Sequence, residues 1–164
     1  MSSCVYSHMY HFEDGDLEWM DPYEAGDVIA FETSTGTDRL YITEKKIYDQ
    51  ASPFLDNEGQ EWFGDYYANA VYVGYFIHNN SKHDFCMIIS KRSDGGLEFY
   101  NHLMDLFSNE IKITKDTIVV DTTNANYKRS GPQPDNCESF KWSKKEGLIE
   151  YRLRDGTIYP SLKE

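Results

Sequence analysis

The stretch FKWSKKEGLIEYRLRDG, residues 140–156, contains the pattern that predicts the fold. After the turn-forming residues 144–147, apolar and charged residues alternate for six positions, and a period of two is typical of a strand with one buried face. We therefore expect a β-hairpin. The expected inward residues of its second strand are Ile149, Tyr151 and Leu153, and the expected outward residues are Glu150, Arg152 and Arg154.

Other β-rich runs occur along the chain. Residues 28–33 and 39–43 flank a short Ser-Thr-Gly-Thr connection and predict a first hairpin. NAVYVGYFIHNN (69–80) is apolar or aromatic at nearly every position, which is typical of a strand covered on both faces, and Gly74 within it suggests a bulge or a close approach. DFCMIISKR (84–92) predicts its hairpin partner. TIYPSL (157–162) predicts a last strand that Pro160 should stop or confine to an edge.

Few segments favour helix. ASPFLDNEGQEWFGDYY (51–67) has the Pro, Gly and acidic residues of a long loop, and MDLFSNE (104–110) is long enough for one brief helix. About nine strands joined by short turns favour antiparallel connections over βαβ units. The sequence predicts a mainly β fold: a single-domain antiparallel β-sandwich or half-barrel with at most one or two short helices. An irregular acidic lead-in, 1–27, precedes the β domain, 28–164.

Charge is unevenly distributed along the 164 residues, whose formal net charge is −12. Three basic residues lie before position 67, namely Arg39, Lys45 and Lys46, whereas acidic residues are frequent there. These acids are Glu13, Asp14, Asp16, Glu18, Asp21, Glu24, Asp27, Glu32, Asp38, Glu44, Asp49, Asp56, Glu58, Glu61 and Asp65. In the remainder the two signs cancel. Such a field repels nucleic acid and attracts a basic protein surface; the alternative is an acidic solvated face that only keeps the protein soluble.

Catalytic and metal-binding motifs are not evident in the sequence. His8 and His11 lie three residues apart and would share a face only in a helix, and His78 and His83 flank a turn, where two ligands do not close a site. His83 and Cys86 are separated by an odd offset, which places them on opposite faces of one strand. No hydrolase, phosphate-loop or zinc-protease motif occurs. We expect no cofactor, no metal and no enzymatic activity.

The chain has three cysteines. Cys86, in DFCMIIS, is expected to be a small buried core residue, and it could form a disulfide with Cys137 in an oxidising compartment. Cys4 follows two serines in an acidic leader, as at the acylated junction of a bacterial lipoprotein. The alternative is an incidental surface cysteine.

Three local patterns resemble small cell-envelope lipoproteins of Bacteroides-type bacteria. They are the SSC junction, the early AGDVIAFETSTGTDRLYITEKKIYD hairpin and the late FKWSKKEGLIEYRLRDGTIY segment. The resemblance implies a mainly β domain, tethered to a membrane only if Cys4 is acylated. It also implies a location in the periplasm or the outer-membrane-tethered envelope of a Gram-negative bacterium. If no signal segment exists upstream, we expect the cytoplasm instead.

The expected function is a non-enzymatic protein-binding module of the envelope, with a basic protein surface as its partner and no nucleic acid. One specific form is an immunity protein that neutralises a basic toxin. The alternative is a half-barrel that binds a small apolar ligand, and the least favoured function is a carbohydrate-active hydrolase. The predicted binding residues combine acids with aromatic anchors. They are Asp56, Glu58, Glu61, Trp62, Phe63, Asp65, Tyr66 and Tyr67.

Overall fold

Strands make up most of the computed structural model, which describes residues 8–49, 65–127 and 136–162. One 3-10 helix, Asp16–Met20, also lies within these ranges. The strands are β1 (Met9–Tyr10), β2 (Val28–Thr33), β3 (Gly36–Tyr48), β4 (Tyr66–Tyr67), β5 (Asn69–His78), β6 (Ser81–Lys91), β7 (Leu97–Leu103), β8 (Leu106–Ser108), β9 (Ile111–Lys112), β10 (Thr117–Val120), β11 (Ala125–Tyr127), β12 (Cys137–Ser143), β13 (Gly147–Leu153) and β14 (Ile158–Leu162). The prediction of a mainly β fold is confirmed. The predicted helix over 104–110 is wrong, because a turn at Met104 and Asp105 leads directly into β8.

One antiparallel sheet curls into a nearly closed half-barrel. Its strand order is β10-β12-β13-β14-β2-β3-β5-β6-β7-β8-β11, with β9 added beside β7. The two end strands, β10 and β11, follow each other along the chain and are joined by a turn over residues 121–124. Asn124 holds this turn through its side-chain amide, which donates to the Val119 carbonyl oxygen at 2.9 Å. The chain itself therefore bridges the two edges of the sheet.

Hairpin chemistry sets the register of the central strands. Asn79 and Asn80 both have positive φ, 47° and 61°, as the tight turn between β5 and β6 requires. Gly74 lies on β5 opposite a bulge in β3, between Ile42 and Glu44. A Cβ at Gly74 would overlap the Tyr41 carbonyl oxygen and lie 2.9 Å from its carbon. The predicted close approach at Gly74 is confirmed, and only glycine fits there.

Aromatic side chains fill the interior of the half-barrel. The largest fully buried members are Trp142, Tyr72, Tyr151, Phe31, Phe76, Phe85, Phe99 and Phe140. Some of these rings pack edge to face and others are stacked. The interplanar angle is 72° between Phe31 and Tyr151 and 15° between Phe85 and Trp142. Burial of this kind, at roughly 25 cal/mol per Å² of apolar surface, supplies the main driving force for folding. β5 buries alternate residues and so has one covered face, not the two that its sequence predicts.

The lead-in closes one end of the half-barrel. The buried residues of this segment are Trp19, Met20 and Tyr23. Tyr72 of β5 holds the last two by hydrogen bonds to their backbones. Its hydroxyl donates to the Met20 carbonyl oxygen at 2.5 Å and accepts from the Tyr23 backbone N–H at 3.2 Å. Burial raises the pKa of Tyr72, which keeps this hydroxyl protonated. Tyr23 in turn accepts from the Leu148 N–H at 2.8 Å. Aromatic hydroxyls thus hold an otherwise irregular segment against the sheet.

Removing the Tyr72 hydroxyl should loosen this end. We expect Tyr72→Phe to lower the free energy of unfolding by about 1–3 kcal/mol, since a buried carbonyl and a buried N–H lose their partner. Tyr75→Phe, on the outward face of the same strand, is the matched control and should change little. Urea unfolding measures both. Equal losses for the two variants would contradict the role given to the Tyr72 hydroxyl.

The hairpin predicted over residues 140–156 forms, but one residue that was predicted to be buried in it is not. Tyr151 and Leu153 are buried and Arg152 and Arg154 are exposed, as predicted. Ile149, however, is half-buried and its neighbour Leu148 takes the inward position. The register between β12 and β13 shifts between Lys141 and Trp142, so a bulge falls at this point and resets the alternation.

The last strand is not an edge strand, contrary to the prediction. β14 lies between β13 and β2, and Pro160 marks the point at which it changes partner. Pairing with β13 covers residues 158–160, and pairing with β2 begins at Ser161. The missing N–H of proline is tolerated at this changeover.

Candidate functional site

Acidic side chains surround the end of the half-barrel that the lead-in covers. They belong to the lead-in itself, and all but Asp16 are in exposed residues. We call this surface the acidic end; its carboxylates are Glu13, Asp14, Asp16, Glu18, Asp21, Glu24 and Asp27. They lie together because the aromatic contacts described above hold the lead-in across the point where β3 ends and β5 begins.

Three lysines of the half-barrel form ion pairs with carboxylates of the lead-in. Lys45 Nζ lies 2.6 Å from Glu24, and Lys144 Nζ lies 2.6 Å from Glu18. Lys91 Nζ lies 2.8 Å from Asp16 and 3.4 Å from Glu13. Burial acts to lower the pKa of Lys91, but Asp16 and Glu13 hold that pKa above its ordinary value. The lysine therefore stays charged and fixes the position of both carboxylates.

In each pair the lysine is less exposed than its glutamate, and for Lys144 and Glu18 the side-chain values are 25% and 58%. The side chain of Lys91 is 3% exposed and that of Glu13 is 74% exposed. The corresponding values are 17% and 73% for Lys45 and Glu24. Asp14 and Asp21 have no ion-pair partner within the described residues. Carboxylates thus outnumber lysines at this surface, and the fixed glutamates face outward.

Apolar and aromatic side chains lie at the same end. Ile47 and Tyr48, at the end of β3, are 47% and 51% exposed, and Tyr67 on β4 is 42% exposed. β1 and β4 form a short parallel pair here, and Tyr10 stacks on Tyr67 with ring centroids 4.9 Å apart. His11 Nδ1 lies 2.9 Å from Asp49 Oδ1. The acidic end therefore has aromatic surface beside its charges.

Most of the predicted binding residues cannot be placed. Asp56, Glu58, Glu61, Trp62 and Phe63 lie outside the described residues, as does the predicted lipidation residue Cys4. Among the described ones, Asp65 is exposed, Tyr66 is half-buried and Tyr67 is exposed. Tyr66 and Tyr67 form β4, whereas the sequence predicted a loop at these two positions. Asp49 and Asp65, which bound the segment 50–64, both lie at the acidic end.

Surface grooves adjoin this end. One of about 380 Å³ runs between the lead-in and the β12–β13 turn, and its lining includes Glu18, Asp21, Asp116 and Lys144. Another of about 320 Å³ has Tyr67, Lys91 and Arg92 in its lining. Both are open to solvent and lined mainly by polar or charged residues, and none of the residues that line them belongs to the aromatic interior. The packing of that interior gives no support to the small apolar ligand that the sequence left as an alternative.

A buried polar cluster at the opposite end escaped sequence reasoning. Asp38 Oδ2 lies 2.6 Å from His78 Nδ1 and accepts a hydrogen bond from the Tyr151 hydroxyl. Asp38 and His78 are each 4% exposed. Burial acts to raise the pKa of Asp38, but the hydrogen bonds from His78 and Tyr151 hold it below its ordinary value. Asp38 lies two and four residues before the apolar Leu40 and Ile42 and so on the same face of β3. This spacing was the signal in the sequence that could have identified an inward-facing carboxylate.

The histidines weighed as metal ligands from the sequence make other contacts in the structure. Within the described ranges, no group of three or more His, Cys, Asp or Glu residues could hold a metal ion. His78 contacts Asp38, and His83 is paired with Phe76 on the same inward face, so that both histidines line one small pocket of about 80 Å³. His11 instead contacts Asp49.

Cys86 and Cys137 are both free. Cys137 is fully buried, but Cys86 is half-buried on the outer face of β6, which corrects the expected core position. Phe85 and Met87, its neighbours in sequence, take the inward positions. Burial raises the pKa of the Cys86 thiol, so it is a poor nucleophile at neutral pH.

Comparisons with known proteins found no matching family model, no matching curated protein and no matching solved structure. Within the part of the chain that the structure describes, no helix is both long and apolar enough to cross a membrane.

Proposed function

We propose that this protein is a non-enzymatic protein-binding module whose acidic end takes a partner with a basic surface. The specific form that we favour is an immunity protein of the bacterial cell envelope that neutralises a basic toxin. The observation that carries the proposal is the set of exposed glutamates, each paired with a less exposed lysine of the half-barrel.

Fixed carboxylates suit a binding surface better than mobile ones. Lys45, Lys91 and Lys144 come from three separate parts of the half-barrel, and each restrains an acid of the lead-in on the side away from solvent. A partner that adds arginine or lysine from outside then meets side chains that have already lost much of their rotamer freedom. This preorganisation reduces the entropic cost of association.

Aromatic surface beside the charges supplies anchors. Tyr48 and Tyr67 are about half exposed, and aromatic residues surrounded by a polar rim are the usual energetic centres of protein interfaces. The uncompensated Asp14 and Asp21 add long-range attraction, which raises the association rate at low ionic strength. The same charges repel phosphate backbones, which argues against a nucleic-acid partner.

Charge reversal tests the proposal. The double variant Asp14→Lys, Asp21→Lys should reduce the association rate with the partner by at least about tenfold at low salt and flatten its salt dependence. Both positions are exposed and lie outside the lysine pairs, so folding should be unaffected. Glu32→Lys with Asp105→Lys changes the net charge equally at the opposite end and is the matched control.

The partner is captured first from a lysate of the producing cells and identified by mass spectrometry. Its kinetics are then measured by surface plasmon resonance at two salt concentrations. A basic protein that binds wild type and the control but is lost with the acidic-end variant supports the proposal. A partner that binds both variants alike would place the interface elsewhere and overturn it.

A further inference from the structure

One side of β3 has no strand beside it over the second half of its length. β3 pairs with β5 to its end, but with β2 only as far as Tyr41. The last backbone contacts on the β2 side are made by Ile42. Its N–H donates to the Asp27 carbonyl oxygen at 3.0 Å, and its carbonyl oxygen accepts from the Gly26 N–H at 2.8 Å. Beyond this point the described structure pairs no strand with that side of β3. We call this side of residues 43–48 the open edge.

Strand register identifies the backbone groups that face the open edge. A two-residue turn joins β5 to β6, so the pair that closes it, His78 and Ser81, is hydrogen-bonded. Alternation from this pair makes the even-numbered residues of β5 bond to β6 and the odd-numbered ones bond to β3. Beyond the bulge, the β3 partners of these odd-numbered residues are even-numbered. The backbone N–H and C=O groups of Lys45 and Ile47 therefore point to the open edge.

Lysines on an edge strand usually oppose pairing with another chain, because a new strand would bury or crowd their charge. The two lysines of this segment already have partners. Lys45 Nζ lies 2.6 Å from a carboxylate oxygen of Glu24. Lys46 Nζ lies 2.5 Å from a carboxylate oxygen of Glu44. The lysine charges are therefore compensated by neighbouring glutamates and do not block the open edge.

The surroundings of the open edge favour a basic segment. Asp27 lies where the pairing with β2 stops, and Asp49 follows the last residue of β3, with His11 Nδ1 at 2.9 Å. With the two glutamates, these residues place four carboxylates against two lysines. Ile47 and Tyr48 are 47% and 51% exposed and add apolar surface. Basic and apolar side chains on an incoming strand would meet groups that complement both.

We propose that an extended segment of a basic partner protein adds to the open edge as a further strand, hydrogen-bonded to the backbone of Lys45 and Ile47. This inference rests on the proposed function and names the way in which the partner binds the acidic end. In strand addition, main-chain hydrogen bonds supply affinity and alternate side chains supply specificity. A second copy of this chain is disfavoured as the added strand, because it would bring one acidic end against another.

A short peptide tests the proposal on the wild-type protein. The probe is the end-blocked hexapeptide Lys-Val-Lys-Val-Lys-Val, and amide hydrogen exchange is followed by NMR at constant pH. In the saturated complex, exchange at Lys45 and Ile47 should slow by at least about tenfold. Exchange at Lys46 and Tyr48 should change little, because their N–H groups already bond to β5. The same peptide with every backbone nitrogen methylated keeps its charge and should bind at least about tenfold more weakly.

A proline substitution tests the same contact from the side of the protein. Ile47→Pro removes an N–H that faces the open edge and should weaken peptide binding by at least about tenfold. Val119→Pro is the matched control on β10, another edge strand, since Val119 is 44% exposed and its carbonyl oxygen bonds to Asn124. It should leave peptide binding unchanged. If Ile47→Pro fails to fold, the exchange and methylation measurements on wild type decide.

Failure of this inference is distinguishable from failure of the proposed function. Absence of peptide binding, equal binding of the two peptides, or unchanged exchange at Lys45 and Ile47 would overturn the strand addition. So would a captured basic partner that is lost with Asp14→Lys, Asp21→Lys but protects neither amide, and the proposed function would then stand. A captured partner that binds away from the acidic end, while the peptide protects both amides, would overturn the proposed function and leave the open edge as a strand-binding site.

Discussion

Gly74→Ala is expected to lower the free energy of unfolding by at least about 3 kcal/mol, or to prevent folding. The added methyl group would overlap the Tyr41 carbonyl oxygen and lie 3.2 Å from Ile42 Cα. These are backbone atoms of a paired strand, so no side-chain rotation relieves the clash. β3 and β5 would have to separate at the centre of the sheet, next to the bulge that bends β3.

Gly96→Ala is the control for this prediction. A Cβ at Gly96 would lie 3.1 Å from Asp94 Oδ1, which is the end of an exposed side chain and can move. The expected loss is below about 1 kcal/mol, as for most surface substitutions. Guanidinium unfolding monitored by tryptophan fluorescence measures both variants. A Gly74→Ala protein as stable as Gly96→Ala would show that β3 and β5 are not packed this closely.

Asp38→Ala is expected to destabilise the protein by about 3–5 kcal/mol, because removing one partner of a buried pair leaves the others without compensation. His78 loses the acceptor of its Nδ1 contact, and Tyr151 keeps a buried hydroxyl without an acceptor. Asp84→Ala removes an exposed carboxylate and should have little effect. Equal stability of the two variants at neutral pH would contradict the role of the buried cluster.

The Asp38 carboxylate should make the free energy of unfolding depend on pH. The pKa of Asp38 is lower in the folded protein than in the unfolded chain, so ionised Asp38 favours folding. This contribution is fully present above the unfolded pKa of about 3.9 and is lost as the pH falls through the lower folded value. The stability difference between wild type and Asp38→Asn should therefore be constant near neutral pH and shrink below about pH 4. A difference that grows on acidification would reverse the assigned direction.

Periodicity made the secondary structure predictable. The alternation in residues 149–154 identified β13, and a turn predicted over residues 79–82 separated two strands, because period-two burial and turn chemistry are local properties. The structure shortens that turn to Asn79 and Asn80. Bulges were not predictable in the same way. The shift at Ile149, which moves Leu148 inward, depends on how β12 and β13 pair, and neither strand's own sequence specifies that register.

The candidate site was predictable in its charge and not in its geometry. Acidic residues before position 67 and aromatic residues among them are visible in the sequence. The paired lysines come from positions 45, 91 and 144, which are far apart along the chain, and each reaches its acid of the lead-in only in the folded structure. The apolar residues of β5 likewise predicted two covered faces, whereas the assembled sheet buries alternate residues of this strand.

The sequence by itself determined the mainly β class, most of the hairpins and the acidic character of the N-terminal part, because each depends on composition and short-range periodicity. Tertiary structure alone decided that the sheet curls into a half-barrel, that Trp19 and Tyr23 close its end, and that Asp38 meets His78 and Tyr151 inside it. These features join residues tens of positions apart. Their contacts form through the pairing order of the strands, which local preferences do not encode.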